Sequence, residues 1–226
     1  MKRILSQLIF ACGALLFVAA ASSAAKADIV TFTTFGAFSS FSNANGLTQQ
    51  NVLTPGAQTG ITVSGFTNQT NSQVNVTSLT SAQLSVADAN GQARFTGAGG
   101  GNIGTGGFRI SLPNNGTFTS LAFNINNVQG STGTVTITTL EPNGDVTNTN
   151  FAIGNGSNFF GVAAVNGQRI LSVTVQGNVN VNIQSLEQVR IGGIQAAVPE
   201  PATMLLLGTG LVGAAGAIKR RRARKS

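Results

Sequence analysis

The chain has 226 residues, of which 42% are hydrophobic, and a formal charge of +7 at pH 7. This length fits one domain with a hydrophobic core, or at most two small ones. Most basic residues lie at the two ends, and residues 28–197 hold four arginines against five carboxylates. Because four dispersed cations cannot neutralise a row of phosphates, nucleic acid is excluded as a partner.

Residues 1–27 have the three parts of a secretory signal peptide. They open with two basic residues, continue with the apolar stretch 4–21, and end in small side chains. An Ala-x-Ala site puts small residues at the −3 and −1 positions, which predicts cleavage ahead of the exported body. The expected cleavage site consists of Ala25, Ala27 and Asp28. An uncleaved N-terminal anchor is the alternative, and the Ala-x-Ala site argues against it.

Residues 28–197 form the predicted exported domain, in which apolar residues recur with a period of two. Leu121, Phe123 and Ile125 alternate with polar residues, and β-branched side chains dominate. Asn-Gly, a dipeptide that tolerates positive φ and closes tight hairpins, occurs six times. No sustained helical stripe is visible. The pattern predicts an all-β fold, an antiparallel β-sandwich of about ten to twelve strands.

Two segments of this domain have turn residues and little periodicity. Residues 43–58 are predicted to form a long loop, and the glycine-rich residues 97–107 a mobile one. The glycine-rich segment lacks the Gly-Lys-Ser/Thr of a phosphate-binding loop and the regular aspartates of a calcium-binding repeat. Neither a nucleotide nor calcium is therefore expected there.

Few residues of the exported domain can perform catalysis. The chain has no histidine, and its one cysteine, Cys12, lies in the signal peptide, so triad chemistry and the usual zinc ligands are missing. The best acid pair is Glu141 and Asp145, which flank Pro142-Asn143-Gly144. We expect both carboxylates at an exposed turn tip with no cleft around them. We nominate no catalytic residue, metal ligand or cofactor, and a carboxylate-dependent hydrolase is a remote alternative.

Carbohydrate binding is a separate possibility, because amide and hydroxyl side chains can bind sugar hydroxyls. Sugar platforms commonly also need an aromatic ring, and every aromatic residue of this chain is phenylalanine. Phe159 and Phe160 are adjacent, so one of the two rings must face outward if they lie in a strand. That ring is a candidate ligand contact or interface patch; the alternative is that both faces of the sheet are covered.

The C-terminal segment, residues 198–226, has three parts in order. The first part is the motif Val198, Pro199, Glu200 and Pro201. The second part, residues 202–218, is free of charge and would be about 25 Å long as a helix, which is enough for a thin bilayer. A basic tail, residues 219–226, ends the chain and opens with Lys219, Arg220, Arg221 and Arg222. Because clustered arginines resist translocation, the sequence predicts one transmembrane helix whose tail stays in the cytoplasm.

This segment resembles the PEP-CTERM sorting signal. The resemblance implies processing by an exosortase, a membrane-embedded cysteine peptidase that recognises Pro-Glu-Pro, in a Gram-negative bacterium that makes exopolysaccharide. A permanent C-terminal anchor is the alternative. Residues 108–193 loosely resemble the jelly-roll-like domains that often precede such tails. Relatives commonly carry paired aspartates near the last strand, where this chain has Glu187-Gln188, so at this point it departs from the pattern of the relatives' calcium site.

Together these features predict an exported, non-enzymatic surface or extracellular-matrix protein with a jelly-roll-like β-sandwich. It would be held transiently in the inner membrane, processed by an exosortase and associated with exopolysaccharide in a biofilm. A glycan-binding module delivered by the same route is the alternative.

Overall fold

A computed structural model describes residues 27–32, 35–47 and 50–196. The sorting motif, the membrane segment, the basic tail and the signal peptide up to Lys26 lie outside these residues. The described part contains one α-helix, α1 (Phe35–Ala44), and fourteen strands. The strands are β1 (Asp28–Phe32), β2 (Val52–Leu53), β3 (Gln58–Gly60), β4 (Thr62–Thr67), β5 (Gln73–Ser78), β6 (Leu84–Ala89), β7 (Gln92–Gly97), β8 (Phe108–Ser111), β9 (Ser120–Asn127), β10 (Gly133–Leu140), β11 (Val146–Ile153), β12 (Gly156–Ala163), β13 (Ser172–Gly177) and β14 (Ile183–Gly192).

The strands form two antiparallel sheets of seven strands each. The first, sheet A, has the order β1-β12-β9-β14-β7-β6-β3, and the second, sheet B, has the order β11-β10-β13-β8-β5-β4-β2. The predicted antiparallel sandwich is therefore confirmed. The predicted number of strands was too low, because the two- and three-residue edge strands β2 and β3 are too short to show alternation. Both strands include residues of the segment 43–58, so the prediction of a long loop there was only partly right.

The hydrophobic core lies between the sheets and follows the alternation of the strands. In β9, Leu121, Phe123 and Ile125 are fully buried, and in β10 Val135 and Ile137 are as well. Each alternate side chain points away from the partner sheet, as a period of two requires. Two-sheet packing of this kind places the polar residues of each strand on the outer face.

The helix α1 is a feature that the sequence pattern did not predict. It lies on the outer face of sheet A, where it contacts β1, β9 and β12. Phe38 is fully buried there with Leu47 and Ala122, in a second, smaller core. Glycine, alanine and serines separate the phenylalanines, so the apolar stripe of Phe35, Phe38 and Phe41, spaced three residues apart, is narrow and was not recognised as a helix.

The glycine-rich segment contacts the sheets at two residues, Gly104 and Gly107. Gly104 forms an isolated antiparallel bridge with Ile183. Gly107 has a φ of +76°, and a Cβ there would overlap the carbonyl oxygen of Val175. Gly104 has a similar φ of +83° but open space around its Cβ position. Of these two glycines, Gly107 is therefore the one required for close backbone approach as well as for its dihedral angle.

We expect Gly107→Ala to destabilise the fold by about 2–5 kcal/mol, since it adds a clash to the strain of a left-handed residue. Gly104→Ala is the matched control, because it introduces the strain alone and should cost about 1–2 kcal/mol. Urea unfolding of the two secreted variants measures the difference. Equal losses would show that the contact with Val175 is not close.

Candidate functional site

The adjacent phenylalanines Phe159 and Phe160 lie on opposite faces of β12. Phe160 is 1% exposed in the main core, where its ring stacks on Phe123 at a centroid distance of 5.4 Å. Phe159 points outward but is only partly exposed, because its ring centroid lies 5.2 Å from that of Phe38 and 5.9 Å from that of Phe35. The helix thus covers much of the outward ring. Phe35, which is 49% exposed, is the more accessible ring of this aromatic cluster.

The acid pair Glu141 and Asp145 is not arranged as the sequence predicts. Both residues lie in the β10–β11 turn, but Glu141 is 2% exposed and accepts a hydrogen bond of 3.1 Å at Oε1 from the backbone N–H of Ala27. Asp145 instead accepts a 2.8 Å bond from Asn143 Nδ2 within the turn. The prediction of two exposed carboxylates was wrong for Glu141, because the residue before β1 crosses to sheet B and covers it.

A group of polar side chains lies on the outer face of sheet A, on β7, β9 and β14. This polar face consists of Gln92, Arg94, Asn124, Glu187 and Gln188. Arg94 Nε lies 3.0 Å from Glu187 Oε1, which also accepts a 2.6 Å bond from Ser185 Oγ. Glu187 and Asn124 are direct neighbours across the β14–β9 pair. The face therefore carries one matched pair of charges and several amides.

A β-bulge shapes the polar face. The register between β14 and β9 shifts between Glu187 and Arg190, and Gln188 inside the bulge has a φ of +52°. Beside the bulge lies a concavity of about 120 Å³ lined in part by Gln92, Arg94, Glu187 and Gln188. That volume holds a few water molecules or part of one sugar ring. Bulges commonly re-aim side chains in this way beside binding sites.

Several buried polar atoms of this face have no hydrogen-bond partner within the described residues. They are Gln92 Oε1, Arg94 Nε, Asn124 Oδ1 and Gln188 Oε1. The contact of Arg94 with Glu187 is therefore an ion pair and not an aligned hydrogen bond. Buried amide oxygens that lack a donor are costly, so ordered water or a small shift of these side chains is expected to satisfy them. Hydroxyl groups can both donate to the amides and accept from the guanidinium.

Arg190 links the polar face to the aromatic cluster. Its guanidinium carbon lies 5.4 Å from the ring centroid of Phe38, within range of a cation–π contact. Burial lowers the pKa of Arg190 from its ordinary value, because the charged form loses hydration. Its Nε also has no hydrogen-bond partner within the described part of the chain. The outer face of sheet A thus combines amides, two arginines and phenylalanine rings.

The remaining predicted sites fall mostly outside the described residues. Of the signal-cleavage residues only Ala27 and Asp28 are described, and of the sorting segment none is. Within residues 27–32, 35–47 and 50–196, no group of three or more histidine, cysteine or carboxylate side chains could hold a metal ion. No helix in those same ranges combines the length and hydrophobicity needed to span a bilayer.

Comparisons with known proteins give a sequence match to a family of sorting motifs and distant structural likenesses, two of which are described here. Residues 197–222 match the PEP-CTERM protein-sorting motif. No curated protein gives a significant match to this sequence. The fold is similar to the family 11 carbohydrate-binding module of a cellulosomal cellulase of Clostridium thermocellum, with 9% identity, 76% of this chain and 90% of that chain covered, and a TM-score of 0.26. It is also similar to the enzymatically active domain of tailspike protein 4 of bacteriophage CBA120. The identity is 14%, the match covers 74% of this chain and 19% of that chain, and the TM-score is 0.24.

The described domain is an all-β protein of the antiparallel two-sheet sandwich class. The chain carries a PEP-CTERM sorting motif behind that sandwich, which confirms the resemblance seen in the sequence. The motif implies export, a membrane-anchored sorting signal before processing, and an exosortase as the processing enzyme.

Proposed function

We propose that this chain is a non-enzymatic surface or extracellular-matrix protein that is associated with exopolysaccharide. Its C-terminal segment anchors it temporarily in the membrane until an exosortase processes it. The observation that carries the proposal is the sorting motif at residues 197–222. Ahead of it stands a body with four arginines and five carboxylates, whereas the basic residues cluster at the termini. A charge distribution of this kind belongs to membrane targeting and not to a charged ligand.

The chemistry of the body supports a role without catalysis. The whole chain has no histidine, and its cysteine lies at position 12. Glu141 and Asp145 do not face one another across a cleft, since Glu141 is buried against Ala27. A glycosidase needs two carboxylates that flank one bond of the substrate, and this turn does not supply them.

Cell fractionation combined with intact-mass analysis tests the proposed sorting. We expect a membrane-bound precursor that ends at residue 226 and a secreted or surface product that lacks the arginine cluster. The mass measurement also shows whether the tail is simply removed or exchanged for another group. A full-length chain in the cytoplasm with both termini intact would contradict the proposal.

A second candidate function is glycan binding at the polar face. The concavity at this face is lined in part by the amides of Gln92 and Gln188 and by the ion-paired Arg94 and Glu187, side chains that can donate to and accept from hydroxyl groups. Because Arg94 and Glu187 balance each other, the ligand that fits is neutral and polyhydroxylated. A neutral stretch of the exopolysaccharide around the cell has this chemistry.

Affinity electrophoresis in gels that contain neutral polysaccharides, including that of the producing cell, tests this candidate. We expect Arg94→Ala and Gln92→Ala each to weaken binding about tenfold, since each removes one hydrogen-bonding group worth roughly 1.4 kcal/mol. Arg109→Ala and Gln176→Ala are the matched controls, because both residues are exposed on sheet B and should leave the affinity unchanged. Wild-type protein that migrates unretarded in every gel would rule out this binding.

A further inference from the structure

Strand β11 forms an open edge of sheet B. It lies at one end of the strand order, and within the described residues β10 is the one strand that pairs with it. With eight residues, β11 is the longest of the four edge strands, since β1 has five residues, β3 has three and β2 has two. The main-chain N–H and C=O groups along such an edge can pair with a further strand.

Alternate residues of β11 direct their main chain away from β10. The hairpin closes with the N–H of Glu141 donating to the carbonyl of Asp145 at 2.9 Å. Hydrogen-bonded pairs then recur at every second residue, beginning with Thr139 and Thr147. The main-chain groups that point to the open edge therefore belong to the exposed residues between these pairs, which are Val146, Asn148, Asn150 and Ala152.

The edge strand β11 lacks the features by which natural edge strands commonly avoid pairing. Its sequence, Val-Thr-Asn-Thr-Asn-Phe-Ala-Ile, contains no charged residue and no proline. Its register with β10 runs without a shift from Val146 to Ile153, so no bulge turns the strand away from a neighbour. Because lysines, prolines and bulges are the usual protection of an edge, an eight-residue strand without them is suited to accept another strand.

We propose that the partner of this edge is β11 of a second copy of the chain, so that two B sheets join into one continuous sheet across a two-fold axis. An axis at Thr149 places Asn148 opposite Asn150 of the second copy, and Val146 opposite Ala152. All four residues direct their main chain to the edge, so the facing pairs can exchange about eight hydrogen bonds. The strand therefore complements itself in this register.

The asparagine side chains fit the same arrangement. Asn148 Oδ1 accepts a 2.6 Å hydrogen bond from Thr138 Oγ1, and Asn150 Oδ1 accepts a 2.8 Å bond from Thr136 Oγ1. These bonds hold both amides on the outer face of sheet B, where each Nδ2 group can donate to the amide oxygen opposite it. Asp145, which precedes the strand, would lie opposite the apolar end of the second β11, so no like charges meet.

Sedimentation equilibrium of the secreted protein tests the pairing with two variants changed at the same exposed positions. Asn148→Lys/Asn150→Lys sets like charges opposite each other across the axis, and we expect its dimer dissociation constant to rise at least about tenfold. Asn148→Lys/Asn150→Glu is the matched control, because each introduced cation then faces a carboxylate of the second copy. We expect this variant to dimerise about as well as the wild type.

Amide hydrogen exchange of the wild-type protein tests the same pairing without a substitution. The N–H groups of Asn148 and Asn150 should exchange at least about tenfold more slowly in the dimer than in the monomer, whereas that of Thr149, already bonded to β10, should change little.

A wild-type protein that stays monomeric at every concentration would overturn the inference, and the edge would then be free or bound by an extended segment of another protein. Equal dissociation constants for the two variants, or unchanged exchange at Asn148 in the dimer, would also overturn it, since the copies would then meet elsewhere. The pairing concerns the folded domain and is independent of the proposed sorting and glycan binding.

Discussion

The Glu200→Ala variant is expected to remain in the inner membrane with its basic tail attached. Recognition of Pro-Glu-Pro by an exosortase would depend on this carboxylate, which lies between two prolines in the sequence. A site built to bind a polar group rejects a substrate without it by large factors, so we expect the processed fraction to fall at least about a hundredfold. Immunoblotting of membrane and secreted fractions measures it.

Gln195→Ala is the control for this experiment. Gln195 lies five positions upstream, is exposed, and contributes its backbone to an isolated bridge with Thr117 that a side-chain change leaves intact. We expect normal release of this variant. If Glu200→Ala were also released normally, residues 202–218 would be a plain membrane anchor that another protease removes.

Phe160→Ala is expected to cause a large loss of stability, comparable to that of Gly107→Ala. The ring is 1% exposed, stacks on Phe123 and meets Phe151 edge-on at 5.7 Å. Removing a buried phenylalanine leaves a cavity and costs about 3–5 kcal/mol, a large share of the roughly 5–15 kcal/mol that a domain has. Chemical denaturation of the secreted protein, followed by circular dichroism, gives the difference in unfolding free energy.

Phe35→Ala is the matched control for the core substitution. Its ring is 49% exposed on helix α1, so we expect a loss of about 1 kcal/mol or less. A small loss for Phe160→Ala, together with a large one for Phe159→Ala, would show that β12 is shifted by one residue. Such a shift would exchange the two rings between the core and the outer face.

The sheets and several turns were predictable because their signals are local. Alternation in β9 and β10 placed Phe123 and Val135 in the core, since a period of two fixes which side chains share a face. Asn90-Gly91 joins β6 to β7 with φ values of +55° and +76°, as the dipeptide indicated. The sorting motif is likewise a linear signal, and it was recognised from its order of parts alone.

The helix α1 and the short strands could not be predicted with the same rules. A ten-residue segment with three serines, a glycine and three phenylalanines has little helical propensity, and packing of Phe38 against the outer face of sheet A stabilises it. Strands of two or three residues show no period at all. In both cases the stabilising partner lies far away in sequence, so no window along the chain contains the information.

The sequence by itself therefore determined the class of fold, the hairpin turns and the sorting signal, because each depends on residues that are close along the chain. Only the tertiary structure decided that Glu141 is buried against Ala27, that helix α1 covers Phe159, and that the amides beside Arg94 form one face. These three features depend on which strands become neighbours and where a bulge shifts the register. That choice is made by the packing of the whole core and not by any local pattern.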